Sequence, residues 1–209
     1  LRDVYGVLAS VTGAQIYLEM SRAGFYPGGG GEIRMQIMGV GEDGDLGPLR
    51  MGDRGELRHI EGLSAASYSL AGHIIDRQTR QVLGRLAKAE RRATIEQAVW
   101  QTHSPGTVVF LRAVFAKSVA GFFSLGRRGK PAEQVADECA DALLDMLASP
   151  GAVDSHAADQ ILTLAALCPD ESHYLVQRGT DHLRTNAEVI RQLIGREVEI
   201  APADGDAVW

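Results

Sequence analysis

Thr180-Asp181-His182-Leu183-Arg184-Thr185-Asn186-Ala187-Glu188 sets a histidine just ahead of a strong helix start. Thr185 and Glu188 have the capping-box spacing, in which a hydroxyl and a carboxylate satisfy backbone donors that the first turn leaves free. The apolar residues that follow, Val189, Ile190, Leu193 and Ile194, recur at helical period, and Gly195 suits the stop. His182 therefore stands near the positive end of a helix, where amides and dipole favour an anion such as a phosphoryl group beside the ring. The alternative is a partly buried ring that bonds a loop carbonyl.

Working back along the chain, Asp154 can cap a helix that carries Ala157, Ala158, Ile161, Leu162 and Ala165 and ends before Pro169. On it, His156, Asp159 and Gln160 stand three and four residues apart and share a polar face. That face either lines a pocket or is simply solvated. Tyr174 to Val176 reads as a strand leading to His182.

Near the amino terminus, Ile16, Leu18 and Met20 alternate with Gln15, Tyr17 and Glu19, and Ile33, Met35 and Ile37 with Arg34 and Gln36. Both runs predict half-buried strands. Gly24 to Glu32 joins them as a glycine-rich connection, either a hairpin link or a ligand loop. Gly39 to Pro48 is rich in Gly and Asp and predicts an exposed linker. From Leu57 to about Leu147 the order is strand, helix, three strands, helix, with strands at Thr94–Trp100, Val108–Phe115 and Val119–Phe123. Leu70, Ile74, Ile75, Val82 and Leu86 form one helical face; Val135, Cys139, Leu143 and Met146 form the other. Pro131 opens the last helix, and Ser149-Pro150-Gly151 closes the segment.

The 209 residues are 45% hydrophobic with a formal charge of −6, which suits a soluble globular chain and argues against a broad basic grip on nucleic acid. Any RNA contact should be local. Basic residues cluster at Arg77, Arg80, Arg85, Lys88, Arg91 and Arg92, read as a solvated helix face, and in the turn with Arg127, Arg128 and Lys130. No stretch is long and apolar enough for a bilayer, no secretory signal opens the chain, and a cytoplasmic protein is the expectation. Cys139 and Cys168 have neither the number nor the spacing of a disulfide framework or zinc site and read as reduced core thiols.

Four stretches, in order, carry a resemblance: Gly24-Phe25-Tyr26-Pro27-Gly28-Gly29-Gly30-Gly31-Glu32, Gly126-Arg127-Arg128-Gly129-Lys130-Pro131-Ala132-Glu133, His156-Ala157-Ala158-Asp159-Gln160 and His182-Leu183-Arg184-Thr185-Asn186. Together they resemble the RNA 3'-terminal phosphate cyclase family. The resemblance implies an α+β fold, part of a larger sheet-and-helix catalytic domain interrupted by a small α+β insert. Residues 1–50 and 150–209 would belong to the catalytic domain and 51–149 to the insert.

The implied reaction is ATP-dependent conversion of an RNA 3'-terminal phosphate to a 2',3'-cyclic phosphate through a covalent histidine–AMP intermediate. By motif position His182 is the catalytic nucleophile, and His156, Ala157, Ala158, Asp159 and Gln160 bind the nucleotide, with His156 beside adenine. Asp159 is the candidate to orient His182. ATP and a divalent cation, Mg or Mn, are the implied cofactors, with no metal ligands assigned. RNA 3'-phosphate ends are the implied partner. Gly28 stands where many family members have a basic residue, and roughly the first third of the family's catalytic domain has no counterpart. Association with that missing amino-terminal part, or with another copy of the chain, is therefore expected. The competing readings are a noncatalytic ribosome-assembly relative, against which the retained His182 speaks, and a regulatory RNA-binding module without turnover.

Overall fold

A computed structural model describes residues 1–202 apart from 39, 41–43, 45 and 71. A short helix, α1 (Tyr5–Val11), precedes the hairpin β1 (Gln15–Arg22) and β2 (Glu32–Met38), which pair antiparallel with Leu18 opposite Met35. The alternation predicted for these strands is present, but their burial is not. Ile16 and Leu18 are half-buried, whereas Tyr17, Met20, Ile33, Met35 and Ile37 are exposed, because the two strands pair only with each other. Half of the predicted linker Gly39–Pro48, residues 39, 41–43 and 45, lies outside the described residues. Its far end is anchored where the Gly47 amide donates to the Thr12 carbonyl.

β3 (Arg50–Met51) leads to β4 (Leu57–Ser67), α2 (His73–Lys88), β5 (Ala93–Trp100), β6 (Thr107–Phe115), β7 (Val119–Leu125) and α3 (Ala132–Ala148). These match the predicted order. The sheet runs β5-β4-β6-β7, with β4 and β5 parallel across α2 and the other neighbours antiparallel. Both helices pack against the same face, over Val82, Leu86, Val109, Leu111, Cys139, Leu143 and Met146. Leu70 lies in the turn before α2, and the buried position one turn after Ile75 is taken by Gln78, whose oxygen accepts from Ser64 (3.0 Å) and Thr107 (2.9 Å). Arg77 and Arg85 are held by Glu133 and Asp141 of α3, with Gln81 bonded to Asp137 between them. The basic stripe on α2 thus serves helix packing at these positions.

α4 (Ser155–Leu167), β8 (His173–Tyr174) and α5 (Asp181–Ile194) complete the chain. They build a second core with α1, in which Leu8, Leu49, Val153, Ile161, Leu183 and Ile190 are buried. The mixed α+β class is as expected. Both cysteines are free and buried, and burial pushes the Cys139 thiol up to about 12. Among the described residues no helix is long and apolar enough to cross a membrane.

The chain enters and leaves the 51–149 segment through two adjacent strips. Arg54 bridges them: Nη1 donates to the carbonyls of Met146 (2.7 Å) and Gly151 (3.0 Å), and Nη2 to Leu147 (2.9 Å). It closes the carbonyl end of α3 while its guanidinium lies 4.9 Å from the Phe115 ring centre.

Candidate active site

The candidate residues are positioned by short parallel pairings. β3 runs parallel to β8, and Val153 bridges Val176 in parallel. The amides of Ala152 and Val153 donate to the Leu175 carbonyl, and Gln177 donates back to Val153. Gly151 permits this approach, since a Cβ there would stand 2.5 Å from Gln177 Cα. One paired segment then enters α4 at Asp154, and the other enters α5 at Thr180. Two helix starts are thereby delivered to the carboxyl end of parallel backbone, the arrangement that collects anionic ligands in open α/β layouts.

Asp154 caps α4 as expected from sequence. Its Oδ1 accepts from the amides of His156 (3.0 Å) and Ala157 (2.8 Å), and Oδ2 from Gly121 of β7 (3.2 Å). Burial pushes this carboxyl up, and the amides of Ala157, Gly121 and His156 oppose that shift. The start of α4 is therefore fixed to the neighbouring four-stranded sheet.

The start of α5 differs from the capping-box reading. The N-cap is Thr180, whose backbone is extended and whose Oγ1 accepts from Leu183 (3.1 Å). Thr185 lies inside the helix, and Glu188 pairs with Arg191 at 2.6 Å instead of reaching back to a cap. His182 is consequently in the first turn, not upstream of it. The buried stripe of α5 is Leu183, Ala187 and Ile190, while Val189, Leu193 and Ile194 are exposed. Gly195, with φ +67°, ends the helix as predicted.

His156 and His182 thus occupy the same place in two helices, the second helical residue after the N-cap, and both are exposed. At this level of a helix the first amides have no intrahelical acceptor. The helices touch where Asn186 Nδ2 donates to the Asp159 carbonyl (3.1 Å). His182 precedes Asn186 by four residues and His156 precedes Asp159 by three, so the two rings start about 6 and about 4.5 Å along their axes from that crossing.

Of the remaining sequence candidates, Gln160 is exposed on the same side as His156, and Asp159 is half-buried. Ala157 and Ala158 turn into the core beside Ile161, so their side chains face away from solvent. Among the described residues Asp159 makes no hydrogen bond to His182. Its charge instead adds to burial in raising the phenol of Tyr174, whose hydroxyl donates to the Ala158 carbonyl (2.9 Å). Tyr174, which sequence reading placed only in a strand, therefore buttresses the second turn of α4. Arg178 was likewise missed: it is exposed between β8 and Thr180, without an ion pair among the described residues. Its signal was a lone arginine in the short loop before a helix start.

The glycine-rich loop docks elsewhere. Gly28 donates to Ser104 Oγ (2.8 Å), the Gly30 backbone lies against the His103 ring, and Phe25 covers Gly106 and stacks on Trp100 at 6.2 Å. Gly28 is thus occupied with the β5–β6 turn; a side chain there would meet Ser104 at 2.6 Å. Clefts of about 330 and 740 Å³ lie beside α1 and beside the carboxyl half of α4, and neither includes His156 or His182. Both histidines are exposed.

The RNA 3'-terminal phosphate cyclase family model matches residues 1–200. Proteins of that name are similar throughout: one from Methylococcus capsulatus is 39% identical over 98% of this chain and 56% of its own length. Another from Nostoc punctiforme is 32% identical over 98% and 58%, and one from Saccharolobus solfataricus 35% identical over 96% and 58%. The chain spans a little over half the length of these relatives.

Proposed function

Since the chain belongs to the RNA 3'-terminal phosphate cyclase family, we propose that the protein carrying it uses ATP to convert an RNA 3'-phosphate to a 2',3'-cyclic phosphate, with His182 as the residue that takes up AMP. The observation that carries this reading is the pair of exposed histidines in the first turns of two helices fed by parallel backbone.

In the neutral imidazole of His182 one ring nitrogen holds a free electron pair. That pair attacks the α-phosphorus of ATP and pyrophosphate leaves, giving a phosphoramidate between ring and AMP. The first amides of α5 and the Arg178 guanidinium draw the phosphates toward the ring. An oxygen of the RNA 3'-phosphate then attacks the adenylate phosphorus and releases the histidine. In the last step the adjacent 2'-hydroxyl attacks the activated 3'-phosphorus, loses its proton and expels AMP. Both reacting groups sit on one ribose, so this closure needs mainly alignment. His156 and Gln160, exposed one turn apart on α4, are assigned to the adenosine side, with the carbonyl and carboxylate of Asp159 behind them.

A divalent cation, Mg or Mn, is expected with the triphosphate. Among the described residues no three His, Cys, Asp or Glu side chains converge, so no step is routed through a metal. The two-domain division, 51–149 inserted between 1–50 and 150–209, is supported by two cores, of which the first also takes in Met51 and Val119, and by the adjacent crossover strips. The apolar face of the hairpin, exposed at Met20, Ile33, Met35 and Ile37, is assigned to contact with further sheet from the same protein or a second copy.

A second reading, RNA binding without turnover, draws on the exposure of His182. Incubation of the full protein with α-labelled ATP separates the two. An acid-labile AMP adduct on His182, absent from His182→Asn, is the expected result; a labelled His182→Asn protein, or no label at all, refutes the catalytic assignment.

A further inference from the structure

We propose that the face of the four-stranded sheet opposite α2 and α3 is a stacking platform for single-stranded RNA, seating nucleotides upstream of the reacting end. The choice of RNA as occupant rests on the proposed function; the platform itself rests on separate residues.

Both helices cover one face of this sheet, and the strand register assigns the residues of the other. Phe110 stands opposite Phe123 on it, and Val108 opposite Leu125. Phe123 is 61% exposed and Leu125 51%, on the edge strand of the sheet. Phe123, open to solvent beside the half-buried Phe110, gives flat apolar area of the kind on which unpaired bases stack. At the same end of the strands, Phe25 and Trp100 form a stacked pair and Tyr26 projects from the glycine-rich loop at 92% exposure.

The charges around the platform favour a polyanion. Immediately beyond β7, Arg127 and Arg128 are exposed and form no ion pair among the described residues, whereas Lys130 of the same turn is held by Glu138. On the platform side, Glu61 is neutralised by Arg112, and Glu96 lies on β5 at the opposite edge of the sheet. A chain of net charge −6 thus keeps a cationic turn, without an ion pair at Arg127 and Arg128 among the described residues, beside its exposed aromatic surface.

The same strand connects platform and site. The Gly121 amide, at the start of β7, holds the Asp154 carboxylate that caps the helix of His156. Phe123 follows about 7 Å further along, and Arg127 about 20 Å, at roughly 3.4 Å per residue. An RNA tail lying along β7 toward the basic turn would therefore have its other end at the α4 start.

The test is fluorescence anisotropy of the full protein with a 5'-labelled single-stranded RNA ending in a 3'-phosphate, alongside an RNA duplex. Single-stranded RNA should bind more tightly than duplex. Phe123→Ala and Tyr26→Ala should each weaken binding about five- to thirtyfold, and Phe123→Tyr should not. The double variant Arg127→Ala/Arg128→Ala should lower the slope of log K against log salt by about 1.4. AMP labelling of His182, measured on the same preparations, should be unchanged. Unaltered RNA affinity and salt slope in these variants, or no RNA binding by the parent, overturns the proposal. RNA binding retained without any AMP adduct refutes the catalytic reading and leaves the platform standing. Crosslinking of 4-thiouridine RNA to the unsubstituted protein gives a second measure: adducts on the peptides of Phe123 or Tyr26 support the proposal, and adducts confined to other surfaces refute it.

Discussion

Replacing Arg54 by alanine removes three hydrogen bonds at once, to the carbonyls of Met146, Leu147 and Gly151, and exposes the edge of Phe115. Two of those carbonyls end α3; that of Met146 also accepts from Ser149, so Arg54 is the donor on which Leu147 depends. Each bond to a charged donor contributes about 1.5–3 kcal/mol, and favourable placement at a helix carboxyl end adds roughly 0.3–1 kcal/mol. Against this, burial lowers the Arg54 pKa, which marks a desolvation penalty that alanine relieves. The bonds share one guanidinium and do not add fully, so a net loss of about 2–4 kcal/mol is expected. For a chain of this length that corresponds to a fall of roughly 5–15 °C in melting temperature. Arg54→Lys should recover only part of it, because an ammonium lacks the planar fork that reaches all three oxygens. Thermal unfolding by circular dichroism, with urea titration as a check, measures the loss. If the alanine variant melts within about 1 °C of the parent, Arg54 does not clamp the two strips and the reasoning fails.

Asp154→Asn should destabilise by about 1–2 kcal/mol in urea unfolding, since a carboxamide has one oxygen where the carboxylate serves three amides. An unchanged midpoint would contradict the capping role. The Arg77 guanidinium draws the Glu133 carboxyl down to about 2, and Lys130 lowers that of Glu138. A carboxylate with a lowered folded pKa stabilises above its unfolded value near 4.3 and loses that contribution as pH falls through the folded value. Asp154, raised by burial, acts in the opposite sense: its stability contribution declines as pH rises from its unfolded to its folded pKa. The melting temperature should therefore fall between pH 5 and pH 2 with the surface carboxylates dominating, and Arg77→Gln should move the Glu133 titration seen by NMR back toward the ordinary range. A Glu133 titration unmoved by Arg77→Gln would refute that pairing.

Residues that carry their own local instructions could be read without the fold. Asp154 before Ser155, Pro131 before Ala132 and Gly195 after Ile194 mark helix ends through their own backbone and side-chain chemistry, and all three lie where the sequence put them. The α3 stripe from Val135 to Met146 likewise reported its buried face directly. Two helix-start signals compete within six residues at Thr180 and Thr185, and local chemistry alone does not choose between them. The parallel pairing of 152–153 with 175–177 decides it, by bringing Thr180 in as extended backbone at the point where the helix can begin.

The sequence by itself determined the family, the order of elements in the insert and the identity of His156, Asp159, Gln160 and His182 as candidates, because motif, period and cap are properties of neighbouring residues. Only the tertiary structure decided that the Tyr174 hydroxyl bonds the Ala158 carbonyl, that Gly28 is engaged by Ser104, and that Arg77 and Arg85 are paired while Arg127 and Arg128 have no ion pair among the described residues. Those outcomes depend on which groups from distant segments meet first, and a charge or amide satisfied by one partner is no longer available to another.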